Sequence, residues 1–302
     1  MLVTPDTITV GSESYRTQRQ LSSYVHFCVD PSGEKVVVKR YPTPEEYCRA
    51  LYAHSVWQAV GKDLVAAGLP DFMKCEDGYR VSQFVPGHDI SRELFCTKSL
   101  DLSIPQARNL ALMTVNIFHE LISRCLSHGD IKPRNIVITQ DNDNNPTSVT
   151  FIDPDFFHNN TAPYSTPLVF CTPRYVAPEL THPDRGYSRT SDLFSFGISL
   201  LDASIGTARY ASEQSCYYSN LYTGGTMDYL SMRHNRAWRD ERMEERLRNV
   251  FQPLADREGS SRALDQLFNF AFRCLHDDPA ARPQSAEEMR QILTDTGNKS
   301  EI

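Results

Sequence analysis

The stretch His128-Gly129-Asp130-Ile131-Lys132-Pro133-Arg134-Asn135 places a carboxylate, an amine and an amide close together in the chain. The apolar run Ile136-Val137-Ile138 follows it directly, and a second apolar run, Val149-Thr150-Phe151-Ile152, leads into Asp153-Pro154-Asp155. The polar residues 141–146 between the two runs are typical of a turn. Two apolar runs joined in this way predict a β-hairpin.

Three side chains beside this hairpin have the chemistry of a metal site. The hairpin would hold Asp130, Asn135 and Asp153 near one another. Carboxylate and amide oxygens suit Mg²⁺, which usually completes its octahedron with water and phosphate oxygens. The sequence therefore indicates a candidate magnesium site at this point of the fold.

The chain before this stretch is mainly strand-like. Short β-prone segments are expected at residues 15–20, 25–29 and 35–40, with a further strand pair near Phe72 and at residues 79–85. One helix is expected from Pro44 to Val60, because Gly61 interrupts the pattern there.

The chain after Pro86 and Gly87 changes to longer helical patterns. Residues 105–127 form the clearest one, with apolar side chains at helical spacing and Pro105 in the first turn. Ser285 precedes Glu288 by three residues, which is a capping-box start for a helix over residues 289–293. We expect an α+β protein with an N-lobe at residues 1–86, a C-lobe at 87–296 and a tail at 297–302.

Composition restricts the class of protein. The 302 residues are 40% hydrophobic, with 31 Lys and Arg against 38 Asp and Glu, a net charge of −7. This excludes a disordered chain and gives no basic field for nucleic acid. No signal peptide or membrane span is recognisable, and the eight cysteines stand singly, so we expect reduced, buried cysteines and a cytoplasmic location, whether in the producing cell or, for an effector, in a host cytosol.

The ordered set of motifs resembles the eukaryotic-type serine/threonine protein kinase family. The stretch at residues 128–135 is similar to the catalytic loop H-R-D-x-x-x-x-N, and Asp153-Pro154-Asp155 stands where D-F-G is expected. The other matches are Val37-Val38-Lys39 for the small-lobe lysine motif, Ala177-Pro178-Glu179 for A-P-E, residues 192–197 for the central large-lobe helix, and residues 278–283, whose Arg282 would pair with Glu179. The resemblance covers roughly residues 15–295. It implies a bilobal protein-kinase-like fold, with a small antiparallel β-sheet and one main helix in the N-lobe and a mainly α-helical C-lobe.

The resemblance implies catalytic roles residue by residue. Asp130 would orient the substrate hydroxyl and accept its proton as the hydroxyl attacks the γ-phosphate. Lys132 would neutralise charge that develops on the transferred group. Asn135 and Asp153 would hold Mg²⁺ against the phosphates.

The resemblance also implies an ATP site between the lobes. Lys39 would contact the α- and β-phosphates and pair with a glutamate of the helix that starts at Pro44, either Glu46, our first choice, or Glu45. The hinge that offers backbone groups to the adenine would be Gln83, Phe84 and Val85.

The phosphate-binding loop departs from the family. The glycine positions hold Gln18, Gln20 and Ser23, and glycine is what lets a backbone approach phosphate closely. The hydroxyls of Ser22 and Ser23 would donate to phosphate instead.

Two more departures affect regulation. Gly129 replaces the arginine that pairs with a phosphorylated activation loop, so activity should not require that modification. Pro154 and Asp155 replace Phe and Gly, which predicts a stiffer motif; a metal contact from Asp155 is an open alternative.

The resemblance implies an ATP- and Mg²⁺-dependent protein kinase. The Lys132-Pro133 pair and Thr172 favour serine and threonine hydroxyls of a protein substrate. A pseudokinase that serves as a binding or scaffolding module is the second reading, and a small-molecule kinase, which often has a His-Gly-Asp loop, is the third. We expect a protein substrate and ATP as partners, and neither nucleic acid nor a membrane span.

Overall fold

The computed structural model describes residues 5–90, 103–143, 145–161, 172, 175–181, 186–211 and 241–295. The strands are β1 (Thr7–Val10), β2 (Glu13–Ser22), β3 (Val25–Val29), β4 (Lys35–Arg40), β5 (Lys74–Glu76), β6 (Tyr79–Gln83), β7 (His88–Asp89), β8 (Leu126–Ser127), β9 (Ile136–Gln140), β10 (Pro146–Phe151) and β11 (His158–Asn159). The helices are α1 (Pro44–Ala67), α2 (Ile104–Ser123), α3 (Ser191–Ala211), α4 (Glu241–Glu258), α5 (Ser261–Cys274) and α6 (Ala286–Thr294). None of the helices in these ranges is long and apolar enough to cross a membrane.

The N-terminal sheet is antiparallel, in the strand order β1-β2-β3-β4-β6-β5. Alternation along β4 sends Val36 and Val38 into the core of this sheet, where they are fully buried with Val81. Lys39, the next residue, therefore lies on the opposite face, toward the rest of the protein. The sequence missed β1, which is only four residues long and pairs with β2 along its whole length.

Helix α1 is longer than the sequence predicts. Thr43 caps its start, and Gly68, with φ +111°, ends it. The predicted end at Val60 is wrong, because Gly61 lies inside the helix, where a Cβ would come within 2.4 Å of the Trp57 indole. This glycine is there to make room for Trp57 and does not stop the helix.

Helix α2 forms the centre of the second half. A capping box between Ser103 and Gln106 fixes its start. Its predicted end at residue 127 is four residues too late, because Cys125 has φ +55° and the chain then forms β8. The buried face of α2 contributes side chains such as Leu110 and Phe118 to the main core; each gains about 1.5–3 kcal/mol from full burial.

The predicted hairpin is present as β9 and β10. Its strands pair from Ile136 opposite Phe151 to Gln140 opposite Pro146, and β7 adds a third strand. The turn is held by Asp141, whose Oδ1 accepts from the backbone N–H groups of Asp143 and Asn145; Asn144 lies outside the described residues. At the other end of the chain, Ser285 caps α6 as predicted. A six-stranded sheet with one long helix, followed by a mainly helical second half, is the α+β arrangement that the sequence predicts.

Candidate active site

Asp192 fixes the backbone of the catalytic stretch. This residue lies in the first turn of α3 and is buried, and its two oxygens accept from the backbone N–H groups of His128 (2.6 Å) and Gly129 (3.1 Å). Burial raises the pKa of Asp192, against the opposing effect of His128 and of these hydrogen bonds. His128 Nε2–H donates to the carbonyl oxygen of Ile152 at 3.0 Å, which ties the stretch to the end of β10. His128 is therefore a buried structural residue.

Gly129 has a conformation and surroundings that exclude a side chain. Its φ is +82°, a region that residues with a Cβ rarely adopt. A Cβ at this position would lie 2.6 Å from the carbonyl oxygen of Phe156. The backbone conformation and the close contact with Phe156 thus explain why glycine, and not the arginine of H-R-D, occupies position 129.

Asp130 is at the centre of a polar cluster. Its Oδ2 contacts Lys132 Nζ at 2.5 Å, and its Oδ1 accepts from Thr172 Oγ1 at 2.8 Å. Asn135 Nδ2 donates to the backbone oxygen of Asp130 at 2.9 Å and to Oδ2 at 3.2 Å. Lys132 Nζ also donates to Thr172 Oγ1 at 2.9 Å. The structure thus brings a buried carboxylate, a cation and a hydroxyl into direct contact.

Asn135 connects this cluster to Asp153. The backbone oxygen of Asn135 accepts from the backbone N–H of Ile152 at 2.8 Å, and Ile152 directly precedes Asp153 in the chain. Asp153 has φ +64°, a left-handed conformation that aspartate tolerates better than most residues. Both contacts of Asn135 with Asp130 use Nδ2, so Oδ1 is the atom able to bind a cation.

The donor set fits magnesium better than a tightly caged metal. The described part of the chain contains no group of three or more His, Cys, Asp or Glu that could hold a metal ion. Mg²⁺ is usually held by one or two protein oxygens together with water and substrate phosphates. Asp153, whose side chain is 30% exposed, and Asn135 have the right atoms for this.

Lys39 reaches Asp153 across the cleft. Its Nζ lies 2.9 Å and 3.0 Å from the two oxygens of Asp153 and 2.5 Å from Asp155 Oδ2. Arg80 Nη2 also contacts Asp153 Oδ1 at 2.8 Å, and Arg80 Nη1 pairs with Asp155 Oδ1. Tyr41 donates from its hydroxyl to Asp155 Oδ1 at 2.5 Å. Two cations and two carboxylates therefore form one neutral cluster, which we call the cleft cluster.

The surroundings of Lys39 and Asp153 favour the charged form of each side chain. Burial lowers the pKa of Lys39, but the carboxylates of Asp153 and Asp155 outweigh burial and hold that pKa above its ordinary value. Burial raises the pKa of Asp153, but the charges of Lys39 and Arg80 outweigh it and hold the pKa far below the usual range. Lys39 is therefore a cation, and Asp153 an anion, at neutral pH.

Comparison with known proteins identifies the family. Residues 68–294 match the protein kinase domain family. The chain belongs to the protein kinase family.

Individual relatives are distant. A curated relative from Arabidopsis thaliana, named "Probable serine/threonine-protein kinase PBL17", is 25% identical over 239 residues, which cover 75% of this chain and 49% of that protein. The chain thus spans about half the length of the curated relative. A crystal structure of a kinase domain, PF14_0431, superposes with a TM-score of 0.63 at 14% identity and covers 97% of this chain and 98% of that one. The bilobal protein kinase fold predicted from the sequence is confirmed.

The predicted pair between Lys39 and Glu46, or Glu45, is not formed. Helix α1 begins only four residues after β4 ends, so Glu46 lies in its first turn, where its own backbone N–H donates to the capping Thr43. The Oε2 atom of Glu46 is buried without a hydrogen-bond partner among the described residues. The next residue, Tyr47, is the one that packs on the cleft side, against Tyr41, and the carboxylates that reach Lys39 come from Asp153 and Asp155.

The sequence left the role of Asp155 open and gave no indication of Arg80. Asp155 contacts Lys39, Tyr41 and Arg80, and its side chain is 10% exposed against 30% for Asp153. Asp153 is therefore the carboxylate that is better placed to bind a cation. Arg80 is 4% exposed in its side chain and stacks over Phe72 at 5.5 Å. Its alternation with Tyr79 and Val81 in a strand gave no indication of charge pairing, because the partner carboxylates are more than seventy residues away in sequence.

The remaining candidate ATP-binding residues lie in two places, a hairpin turn at Ser22 and Ser23 and the hinge at residues 83–85. Ser22 ends β2 and pairs with Val25, so Ser23 lies in a tight hairpin turn. At the hinge, Gln83 N donates to Asp71 O and Phe84 N donates to Lys35 O. Those two donors are used within the protein, which leaves Val85 as the hinge residue to consider for adenine.

The A-P-E glutamate forms the predicted pair with the late arginine. Glu179 and Arg282 are buried and meet through two contacts of 2.7 Å, and Ser191 donates to Glu179 at 2.6 Å. The charge and hydrogen bonds of Arg282 hold the pKa of Glu179 below its usual range, although burial acts the other way as the largest single effect. Pro173 and Arg174, which precede this motif in the chain, lie outside the described residues.

Proposed function

We propose that this protein kinase domain is an active enzyme that transfers the γ-phosphate of ATP to serine or threonine hydroxyls of a protein substrate. The observation that supports it best is the contact network that joins Asp130, Lys132 and Asn135. The backbone hydrogen bond from Ile152 to Asn135 lies beside it, one residue before Asp153, which in turn contacts Lys39. These are the side chains that phosphoryl transfer by a protein kinase requires.

Each of these side chains would have its own role in the transfer. The Asp130 carboxylate would accept the hydroxyl proton, and Thr172, which donates to it at 2.8 Å, keeps it oriented. Lys132 Nζ, held at 2.5 Å from Asp130, would neutralise the transferred phosphoryl group. Lys39 would hold the α- and β-phosphates. Asn135 Oδ1 and Asp153 would hold Mg²⁺, which would neutralise negative charge on the phosphates.

We further propose that Val85 contributes the hinge contact to adenine, and that Gln83 helps by holding the hinge in place. The hydroxyls of Ser22 and Ser23 at the hairpin turn would replace the missing glycine-rich loop as donors to phosphate. The lobe boundaries at residues 86 and 296, the cytoplasmic location, and the absence of a nucleic-acid partner belong to the same proposal.

The test is phosphate transfer from labelled ATP with Mg²⁺ to a generic basic protein. Asp130→Asn and Lys39→Ala should each lose at least about a hundredfold, because a positioned base or a phosphate-binding cation contributes about that much. Lys35→Ala is the matched control, since Lys35 is exposed on the same strand as Lys39. Transfer that is equal in the wild type and in both site variants would contradict the proposal.

A pseudokinase is the second candidate. Two observations favour it: the phosphate loop is a tight hairpin without glycine, and Lys39 and Arg80 already neutralise Asp153. It predicts nucleotide binding with no transfer in the same assay. The small-molecule kinase reading is weaker, because the buried pair of Glu179 and Arg282 belongs to the protein-kinase pattern.

We also propose that activity does not require phosphorylation of the activation loop. Gly129 presents no side chain where the family has its phosphate-binding arginine. Simultaneous alanine substitution of Thr161, Ser165 and Thr166 should leave turnover nearly unchanged; Ser165 and Thr166 lie outside the described residues. A collapse of turnover in the triple variant would refute this.

A further inference from the structure

The amine of Lys39 needs an anion that holds it in place. It ends a flexible four-carbon side chain, and a fixed partner is what turns such a side chain into a phosphate-binding group. Glu46 on α1 does not supply one. We propose that Asp155, the third residue of the Asp-Pro-Asp motif, is the positioning residue for Lys39 in this protein; the inference rests on the proposed function for its consequence in catalysis.

The contacts of Asp155 are those of a fixed support. Its Oδ2 is 2.5 Å from Lys39 Nζ, and its Oδ1 receives both the Tyr41 hydroxyl and Arg80 Nη1. The Asp155 side chain is 10% exposed, against 30% for Asp153. Asp155 therefore stays in the interior with all its contacts, whereas Asp153 lies at the open side of the cleft.

The charges of the cleft cluster also give the carboxylates of Asp153 and Asp155 different roles. Lys39 and Arg80 are two cations, and Asp153 and Asp155 are two anions. When Asp153 serves as a metal ligand, Asp155 is the one carboxylate of the cluster left to hold both cations. The three remaining groups then carry one excess positive charge beside the place where phosphates would lie, which favours an anionic ligand.

The surroundings of Asp155 come from three different elements. Tyr41 follows β4, Arg80 lies on β6, and Tyr47 on α1 packs against Tyr41 at 6.2 Å. Arg80 is in turn stacked on Phe72. A glycine at position 155, as the family has, would leave Arg80 and Lys39 with Asp153 alone. Arg80 thus depends on Asp155 for one of its two carboxylate partners.

The test is competitive acylation of lysines in the folded 302-residue chain, without nucleotide or metal, read by mass spectrometry. The rate at Lys39 is divided by the rate at Lys35, an exposed lysine of the same strand that serves as the internal reference. Asp155→Asn should raise this ratio at least about fivefold, because the amine loses a charge-assisted contact of the strong class. Tyr41→Phe keeps all four charges and removes one hydrogen bond to Asp155; it should raise the ratio about twofold. Glu46→Gln should leave the ratio unchanged.

The outcomes separate this inference from the proposed function. A ratio unchanged by both Asp155→Asn and Tyr41→Phe, or one raised by Glu46→Gln alone, overturns it. If Asp155→Asn does not fold, the twofold change in Tyr41→Phe decides. Wild-type protein that transfers no phosphate refutes the proposed function, while the acylation ratios still decide whether Asp155 positions Lys39.

Discussion

Substitution of Gly129 by alanine should destabilise the protein more than the same change at a glycine with nearly the same φ. Gly129 and Gly78 have φ values of +82° and +81°. A left-handed conformation costs a residue with a Cβ about 1–2 kcal/mol at either position. At Gly129 the new Cβ would also lie 2.6 Å from the Phe156 carbonyl oxygen, whereas at Gly78 nothing lies within 4 Å. Overpacking of this kind adds about 1–3 kcal/mol.

The expected loss is therefore about 2–5 kcal/mol for Gly129→Ala and about 1–2 kcal/mol for Gly78→Ala. Thermal unfolding measures the difference, at about 2 °C per kcal/mol for a chain of this size. Phosphate transfer should fall in Gly129→Ala as well, because the Asp192 contact that fixes Gly129 also sets the position of Asp130. Equal shifts of the unfolding midpoint in the two variants would refute the packing explanation for the missing arginine.

Three further changes test the stability of the second half of the chain. Arg282→Met should cost about 3–5 kcal/mol in urea unfolding, because it leaves the buried carboxylate of Glu179 unpaired; a loss below about 1 kcal/mol would contradict this. Burial lowers the pKa of His158 to about 4, so the unfolded chain binds more protons between pH 6.5 and 4. Stability should fall by up to about 3 kcal/mol as the pH drops through that window, and the same slope in His158→Gln would refute the assignment. Ser285→Ala should cost about 1 kcal/mol through loss of the α6 cap, and an unchanged midpoint would argue against the cap.

The sequence predicted those features that are determined by residues close together in the chain. The hairpin of β9 and β10, the cap at Ser285, and the grouping of Asp130 with Asn135 all follow from spacings of a few residues. The length of α1 did not follow, because glycine is a poor helix former. The Trp57 ring that covers Gly61 packs against Phe72 and Phe157, which are distant in the sequence, and this tertiary contact could not be read from the local pattern.

The cleft cluster shows most clearly what the sequence could not provide. Lys39, Arg80 and Asp155 lie on separate parts of the chain, and nothing local indicates that their charges meet. The family pattern favoured Glu46 as the partner of Lys39, but α1 starts too soon after β4 for that glutamate to face the amine. The cysteines give a smaller example: Cys28, Cys75 and Cys274 are buried as expected, whereas Cys48 is exposed on α1.

The central claim is that Asp130 acts as a base in phosphoryl transfer. The most direct measurement is single-turnover transfer from saturating Mg·ATP to a basic protein, with nucleotide affinity measured in parallel for the wild type and Asp130→Asn. We predict that Asp130→Asn binds nucleotide as the wild type does and transfers at least about a hundredfold more slowly. Equal rates of transfer in the two proteins would contradict the account.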